Sequence, residues 1–505
     1  MSNPFMAAAE LFKKVARDSY GPDRYRTLVE ARRCVRAVPG PSSHARWKLL
    51  RQAMDHVGIT PEEHLELCSL RVEMIKTPVA SVTQHAVGHG GFHTGVLGDD
   101  TPRIRWIYDC GAWRTAGHTA LSAAIETFAK RARNAGDVEP DRKPKVDLLY
   151  ISHFDADHVA GIQDLLGLVD VETVVIPYLE PAIQFAALAE AVAAEQSVQS
   201  LSDAVLAPAD WLRPFGVRRI VRIEPSPENA EEIGEVAPPS VPELDGLGDF
   251  EPVFIGREGG REPVPTRDGQ KIQISDTTLP AGGRICVAST IGNITDWMFL
   301  PHVSPAAKEA IEAAKAAIEA LLGLSADSDG FAKALTNKIA TDEGRSQVKA
   351  CYRKYELGDA NSVSMSLYVG PGKDFSQRDD FMLGGRGRAF GWILTGDAKL
   401  ASARRFQAWR ATYWPLAAQT GQVMLPHHGA NGDYFNPGIV QMFQKADLFV
   451  TVGHEDQTRP HHLVNDALTR PAIKLHENED ALQQISGPKG MVGYIVDEDL
   501  FADWM

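Results

Sequence analysis

Residues 146–169 read VDLLYISHFDADHVAGIQDLLGLV, and three kinds of segment follow one another in it. Val146 to Ile151 is an apolar run of strand length. Val159, Ile162, Leu165, Leu166 and Val169 then recur on one helical face. Between them stands His153-Phe154-Asp155-Ala156-Asp157-His158, a tight polar loop at the end of the strand. Packing two imidazoles and two carboxylates into six residues is costly, because such groups repel and desolvate one another unless cations lie between them. A loop at a strand end is where a rigid sheet presents functional groups, so the segment predicts a metal site.

The same texture extends outward. VASVTQHAV, RIRWIYDCG and TVVIPYL surround the first motif, and SVSMSLYV, FGWILTGD, GQVMLPHHG and ADLFVTVGH follow residue 360, with helical runs between several of them. This alternation predicts an α/β chain. Three of the later strands end in metal-competent residues: Asp397 closes GWILTG, His427 and His428 follow QVMLP, and His454, His461 and His462 follow LFVTVG. Chance placement rarely repeats that pattern.

The 505 residues suit one large core with inserts or about two to three domains. Apolar residues make up 44% and charged residues 23%, which predicts a folded chain. Residues 1–77 read as a helical extension, in which AAAELFKKVARD, RYRTLVEARRCVRAV and HARWKLLRQAMDHV are separated by Gly-Pro and Pro-Gly-Pro breaks. Residues 1–76 hold 13 Lys/Arg and 9 Asp/Glu, a net of +4, whereas the whole chain holds 52 and 66, a net of −14. Such a balance argues against non-specific coating of nucleic acid, so a phosphate-bearing substrate must be held by local cations or by metal. Residues 78–505 form the second expected unit, with inserts at about 180–285 and 300–350. Within the first, residues 225–256 carry eight carboxylates, six prolines and no Lys or Arg, and read as an irregular acidic segment. In the second, Ser304-Pro305 opens a helix with Ile311, Ala314, Ile318 and Leu321 on its core face and Gly323 at its end. Five cysteines without C-x-x-C spacing, no secretory signal and no 18-residue apolar stretch predict a soluble cytoplasmic protein with no membrane part.

Taken together, the motifs resemble the metallo-β-lactamase superfamily, and within it the metallo-β-lactamase-like domain of the competence protein ComEC. The resemblance rests on SHFDADHVAGI at 152–162, with its H-x-D-x-D-H form, and on VGHGG at 87–91 before a strand ending in Asp109-Cys110-Gly111. It rests also on Asn361-Ser-Val-Ser364, LTGD at 394–397, PHHG at 426–429, and VTVGH with the later Pro460-His461. The family's fold is an αββα sandwich with two divalent metal ions at one edge of its sheets. Carried over residue by residue, His153 and Asp155 would hold one metal, Asp157 and His158 the other, and Asp397 both. His427, chosen over His428, and His461, with His462 the alternative, would complete the site or donate a proton. Asp157 and His428 are the expected catalytic residues, and Asp109 would orient the loop from beneath. His302 is the candidate for a histidine that the family places between the first motif and Asp397.

Two divalent ions about 3.5–4 Å apart activate water at neutral pH and stabilise both attacking and leaving oxygens of a displacement. Asp155 in place of a ligand histidine hardens the site and moves its preference from zinc toward manganese or magnesium. The resemblance therefore implies a metal-dependent phosphodiesterase, with a nucleic acid, DNA first, as substrate, and by analogy a regulated role in defence against foreign DNA. Arg386 and Arg388, in GGRGRAF, are candidate phosphate-binding residues, because neighbouring glycines allow close approach of the backbone. Arg404, Arg405 and Arg410 flank the LTGD strand on its other side. Residues 1–77 or the inserts could engage a protein partner or regulator, and the acidic segment could occupy the substrate groove as a polyanion mimic. The alternatives are a small-molecule ester, thioester or lactone hydrolase of the same fold, or a non-enzymatic regulatory module.

Overall fold

The computed structural model describes residues 80–98, 104–135, 142–178, 208–227, 252–255, 275–288, 296–305, 308–354 (without 327 and 329), 363–372, 390–468 (without 445 and 447), 472–477, 481–486 and 492–495. The expected extension 1–77, most of the acidic segment 225–256, and Arg386 and Arg388 lie outside them.

The described chain is mixed α/β, built on two mixed sheets. Its elements are β1 (Ala80–Gln84), β2 (Phe92–Leu97), β3 (Ile104–Cys110), α1 (Arg114–Asn134), β4 (Lys145–Tyr150), α2 (Ala156–Val159), α3 (Ile162–Leu168), β5 (Asp170–Pro177), β6 (Arg219–Ile223), β7 (Pro252–Ile255), β8 (Ser275–Leu279), β9 (Arg284–Ala288) and β10 (Asp296–Val303). Three helices follow, α4 (Lys308–Leu322), α5 (Phe331–Ile339) and α6 (Asp342–Lys354). The chain continues through β11 (Met365–Pro371), β12 (Gly391–Leu394), α7 (Ala403–Tyr413), β13 (Thr420–Met424), β14 (Leu448–Val452), α8 (His462–Ala467), β15 (Ile473–Leu475), β16 (Leu482–Ser486) and β17 (Val492–Ile495).

The first sheet runs β17-β16-β1-β2-β3-β4-β5-β6-β8, the second β15-β14-β13-β12-β11-β10-β9-β7. Each is parallel at one end, β3 to β8 in the first and β12 to β15 in the second, and antiparallel in the remainder. Strand alternation explains how the layers meet. On β10, Trp297 and Phe299 face the first sheet, where Trp106 lies 5.7 and 5.3 Å from them and Tyr150 stacks on Phe299 at 5.8 Å. Met298 and Leu300 turn the other way, into a cluster with Trp409 and Tyr413 of α7. Burying an aromatic such as Phe299 contributes about 1.5–3 kcal/mol. On the outer side of the first sheet, α1 buries Leu121, Ile125, Phe128, Ala129 and Ala132 at helical spacing.

All five apolar positions noted between 159 and 169 are buried, but the helix is in two pieces. Gly161 marks the break: its N–H donates to the Cys110 carbonyl, and a Cβ there would stand 2.7 Å from Leu121 Cδ2. The Ala-rich helix is α4, beginning at Lys308 and closed by Gly323 in the left-handed region. With α5 and α6 it encloses a small separate core of Ala314, Ile318, Phe331, Leu335, Ile339 and Val348. Within the described parts of 180–285 a short helix, Pro208–Leu212, precedes β6; β6 and β8 extend the first sheet, β7 and β9 the second. Thus the acidic segment ends in a strand, because Pro252–Ile255 supplies an apolar edge that pairs with β9. Among the described residues no helix is long and apolar enough to cross a membrane.

Candidate metal centre

The residues of interest gather at the carboxyl ends of parallel strands: Asp109 in β3, Ser152 to His158 after β4, Asp397 after β12, His427 and His428 after β13. In α/β sheets this edge is where ligands bind, because loops leave the strands there. Close backbone packing sets the loops. Gly91 N–H donates to Asp157 O at 2.9 Å and Gly111 N–H to Gly91 O at 2.9 Å. A Cβ on Gly111 would lie 2.5 Å from the His158 nitrogen, so the glycines around His89 and after Asp109 are required for the approach.

Asp109 anchors the first motif. Ser152 donates to it twice, from N to Oδ1 at 2.7 Å and from Oγ to Oδ2 at 2.7 Å, and His158 donates from Nδ1 to Oδ2 at 2.8 Å. The Ser152 hydroxyl proton is therefore committed to Asp109, so its oxygen accepts from His153 Nδ1 at 2.9 Å. Both imidazoles are thereby fixed with Nε2 inward. Ser364, flagged within Asn361–Ser364, accepts the Asp397 N–H at 2.9 Å and ties the second sheet to the site.

Inward-facing atoms then converge. His153 Nε2 lies 3.6 Å from Asp155 Oδ2 and 3.7 Å from Asp397 Oδ2. His158 Nε2 lies 3.6 Å from Asp157 Oδ2 and 3.4 Å from Asp397 Oδ1, and His428 Nε2 lies 3.2 Å from Asp157 Oδ2 and 3.8 Å from Asp397 Oδ1. One ligand atom from each of Asp157, His158, Asp397 and His428 falls within 4.8 Å of the others. Buried His153 Nε2, His158 Nε2, Asp155 Oδ1 and Asp397 Oδ1 have no hydrogen-bond partner. Unsatisfied buried donors and acceptors cost about 1–3 kcal/mol each, more when charged. Four in one place fit the donor set of metal ions: His153, Asp155 and Asp397 on one side, Asp157, His158, His428 and Asp397 on the other.

Among the described residues, three of the four non-glycine residues in the left-handed region stand here, Asp109 at φ 57, His427 at φ 46 and His428 at φ 55. Strain of this kind persists only where surroundings over-determine it, and it directs His427 and His428 differently. His428 is the one that joins the cluster. His427 stacks on Tyr434 at 4.0 Å and turns Nδ1 to Asp397 Oδ2 at 2.6 Å, with its side chain 22% exposed. The geometry groups His428, where the sequence preferred His427, with Asp157, His158 and Asp397. His461 is not brought in: its Nδ1 accepts the Leu463 N–H at 3.3 Å as the cap of α8, and its ring lies against His462. His302 is not brought in either, since it shares strand parity with Met298 and Leu300 and faces Thr412 at 2.9 Å and Ser226 at 3.2 Å.

Three residues carry more than the sequence assigned to them. His89, in the VGHGG turn, places Nε2 3.4 Å from Asp157 Oδ2, and Gln457 lies behind it. Buried His454 pairs with Glu477 at 3.0 Å. Burial lowers the pKa of Arg459, and the charge of Asp397 opposes that lowering. Of the aromatics near the LTGD strand, Trp409 and Tyr413 are buried and Trp414 is 52% exposed beneath Arg410.

Burial alone would raise Asp157 and Asp397. Instead His158 holds Asp157, and His427 and His158 hold Asp397, well below the usual carboxylate range. Burial and His158 oppose protonation of His153, yet Asp155 and Asp397 carry its pKa above the ordinary value. Burial likewise opposes protonation of His158, and Asp157, Asp109 and Asp397 raise it well above. Burial and His89 bring His428 down to about 3, so it is neutral. Ligation would need the unprotonated Nε2 of His153 and His158, so any metal uptake there would release protons. Calorimetric titration with MnCl2 in buffers of different ionisation enthalpy is expected to show proton release, with affinity rising as pH increases; equal heats in all buffers would contradict this.

Comparison of the sequence with protein-family models gives no match, and no curated protein is detectably similar.

Proposed function

We propose that the chain is a metal-dependent hydrolase of the metallo-β-lactamase fold, an αββα sandwich whose dinuclear centre cleaves phosphodiester bonds in DNA. One observation carries this reading: buried, partnerless atoms of His153, His158, Asp155 and Asp397 converge on shared carboxylates. The motifs at 87–91, 152–162, 394–397 and 426–429 that resemble the family meet at that one edge.

When bound, the two ions would supply Lewis acidity and activated water. Asp397 presents Oδ1 to His158 and Oδ2 to His153, so it could donate to both ions. Three carboxylates, Asp155, Asp157 and Asp397, make the centre hard and anionic, which favours manganese or magnesium over zinc. Arg459, whose charge already senses Asp397, can offset the charge of an incoming phosphate. His427 is tied to Asp397 by Nδ1 and stands at the exposed edge, where it can pass a proton to a departing oxygen.

The test is hydrolysis of plasmid, single-stranded DNA, RNA and a lactone or thioester panel by the full chain with manganese, magnesium or zinc. DNA cleavage that needs manganese or magnesium is expected. Turnover confined to the lactone or thioester panel would replace the phosphodiesterase reading with that of a small-molecule hydrolase.

A further inference from the structure

Resting on the dinuclear reading above, the hydrogen-bond network assigns His89 as an additional ligand of the metal position shared by Asp157, His158 and His428, with Gln457 as the group that sets its tautomer. The argument begins at Gln457. The backbone N–H of His454 can only donate, and it lies 3.2 Å from the Gln457 side-chain oxygen, which identifies that atom as an acceptor and fixes the amide's orientation. The same oxygen lies 3.0 Å from His89 Nδ1, so Nδ1 must carry a hydrogen. The lone pair of neutral His89 is then on Nε2.

That atom points at Asp157 Oδ2 from 3.4 Å, and His428 Nε2 points at the same oxygen from 3.2 Å. The two rings lie together, centroids 4.1 Å apart, and both residues are buried. The Nε2 lone pair of His89, directed at this carboxylate oxygen, repels it unless a cation lies between them. His89 also repeats the pattern of His153 and His158, each of which is held through Nδ1 by an oxygen so that Nε2 faces the centre. Together with Asp157, His158, His428 and Asp397 it makes five protein donors at this position, against His153, Asp155 and Asp397 at the other. Five donors suit an ion of high coordination number such as manganese better than four-coordinate zinc.

The test is titration of the metal-free full chain with MnCl2, followed by calorimetry and by manganese paramagnetic resonance of the bound ion. The unaltered chain is expected to bind two ions. His89→Phe keeps the ring volume and removes the donor, and it should weaken one of the two sites at least about tenfold while leaving the other in place. Gln457→Leu should weaken the same site by about tenfold, and Gln457→Glu, which keeps an acceptor on Nδ1, should restore it. If His89 only packs, or only donates a hydrogen bond to Asp157 as an imidazolium, Gln457→Leu and Gln457→Glu will bind both ions like the unaltered chain, and the assignment falls. If His89→Phe fails to fold, the Gln457 pair decides. An unaltered chain that binds no manganese overturns the dinuclear reading itself, whereas two unchanged sites in every variant overturn only the role of His89.

Discussion

Asp397→Ala is expected to lower metal-dependent DNA cleavage by on the order of a thousandfold or more. Asp397 is the carboxylate whose two oxygens face different histidines, Oδ1 toward His158 at 3.4 Å and Oδ2 toward His153 at 3.7 Å, and it is almost wholly buried. On the proposed reading its removal would take one donor from each metal position, and it takes from His427 the carboxylate that holds its Nδ1. Asp397→Asn keeps the shape but puts a neutral amide where an anion is needed, and it should fail nearly as badly. Initial rates of plasmid nicking in manganese provide the measurement. A rate within tenfold of the unaltered chain would show that the cluster is not where hydrolysis occurs.

The second large effect belongs to Asp109→Ala, and it is one of stability as well as of metal binding. Asp109 is 1% exposed and accepts from Ser152 N, Ser152 Oγ and His158 Nδ1. Alanine leaves those donors without an acceptor, and uncoupling a buried charged group of this kind costs about 3–5 kcal/mol. The left-handed backbone at φ 57 adds to the penalty, since Asp and Asn tolerate that region better than Ala. With its orienting partner gone, His158 should lose metal affinity by about 10–100-fold. Thermal unfolding of the metal-free chain should therefore rank the aspartate form above Asp109→Asn and that above Asp109→Ala, and manganese titration should follow the same order. Unchanged unfolding and unchanged affinity would remove Asp109 from the account.

Much of this was legible in the sequence because buried strands leave a strong mark. The inner strands are covered on both faces, so they appear as apolar runs such as Val146–Ile151, and their ends are visible as abrupt polar residues. The polar loop at 153–158 and Asp397, which the fold brings together, could be read for that reason. His302 also lies on a strand, but alternation was the better guide: its parity is that of Met298 and Leu300, which face α7, whereas Trp297 and Phe299 face the opposite sheet. His461 shows the limit of reading residue type alone, because a histidine can cap a helix as well as bind a metal. The roles of His89 and Gln457 had no periodic signature to find. They stand 368 positions apart, and only the glycine turn at 88, 90 and 91, which admits close backbone contact, draws the eye to His89.

Metal content tests the central claim most directly. The full chain, stripped of metal and dialysed against excess manganese, should retain two ions per molecule by elemental analysis, and an Asp157→Ala, His158→Ala double variant that remains folded should retain no more than one. A folded unaltered chain holding none, or a double variant that still holds two, would contradict the account.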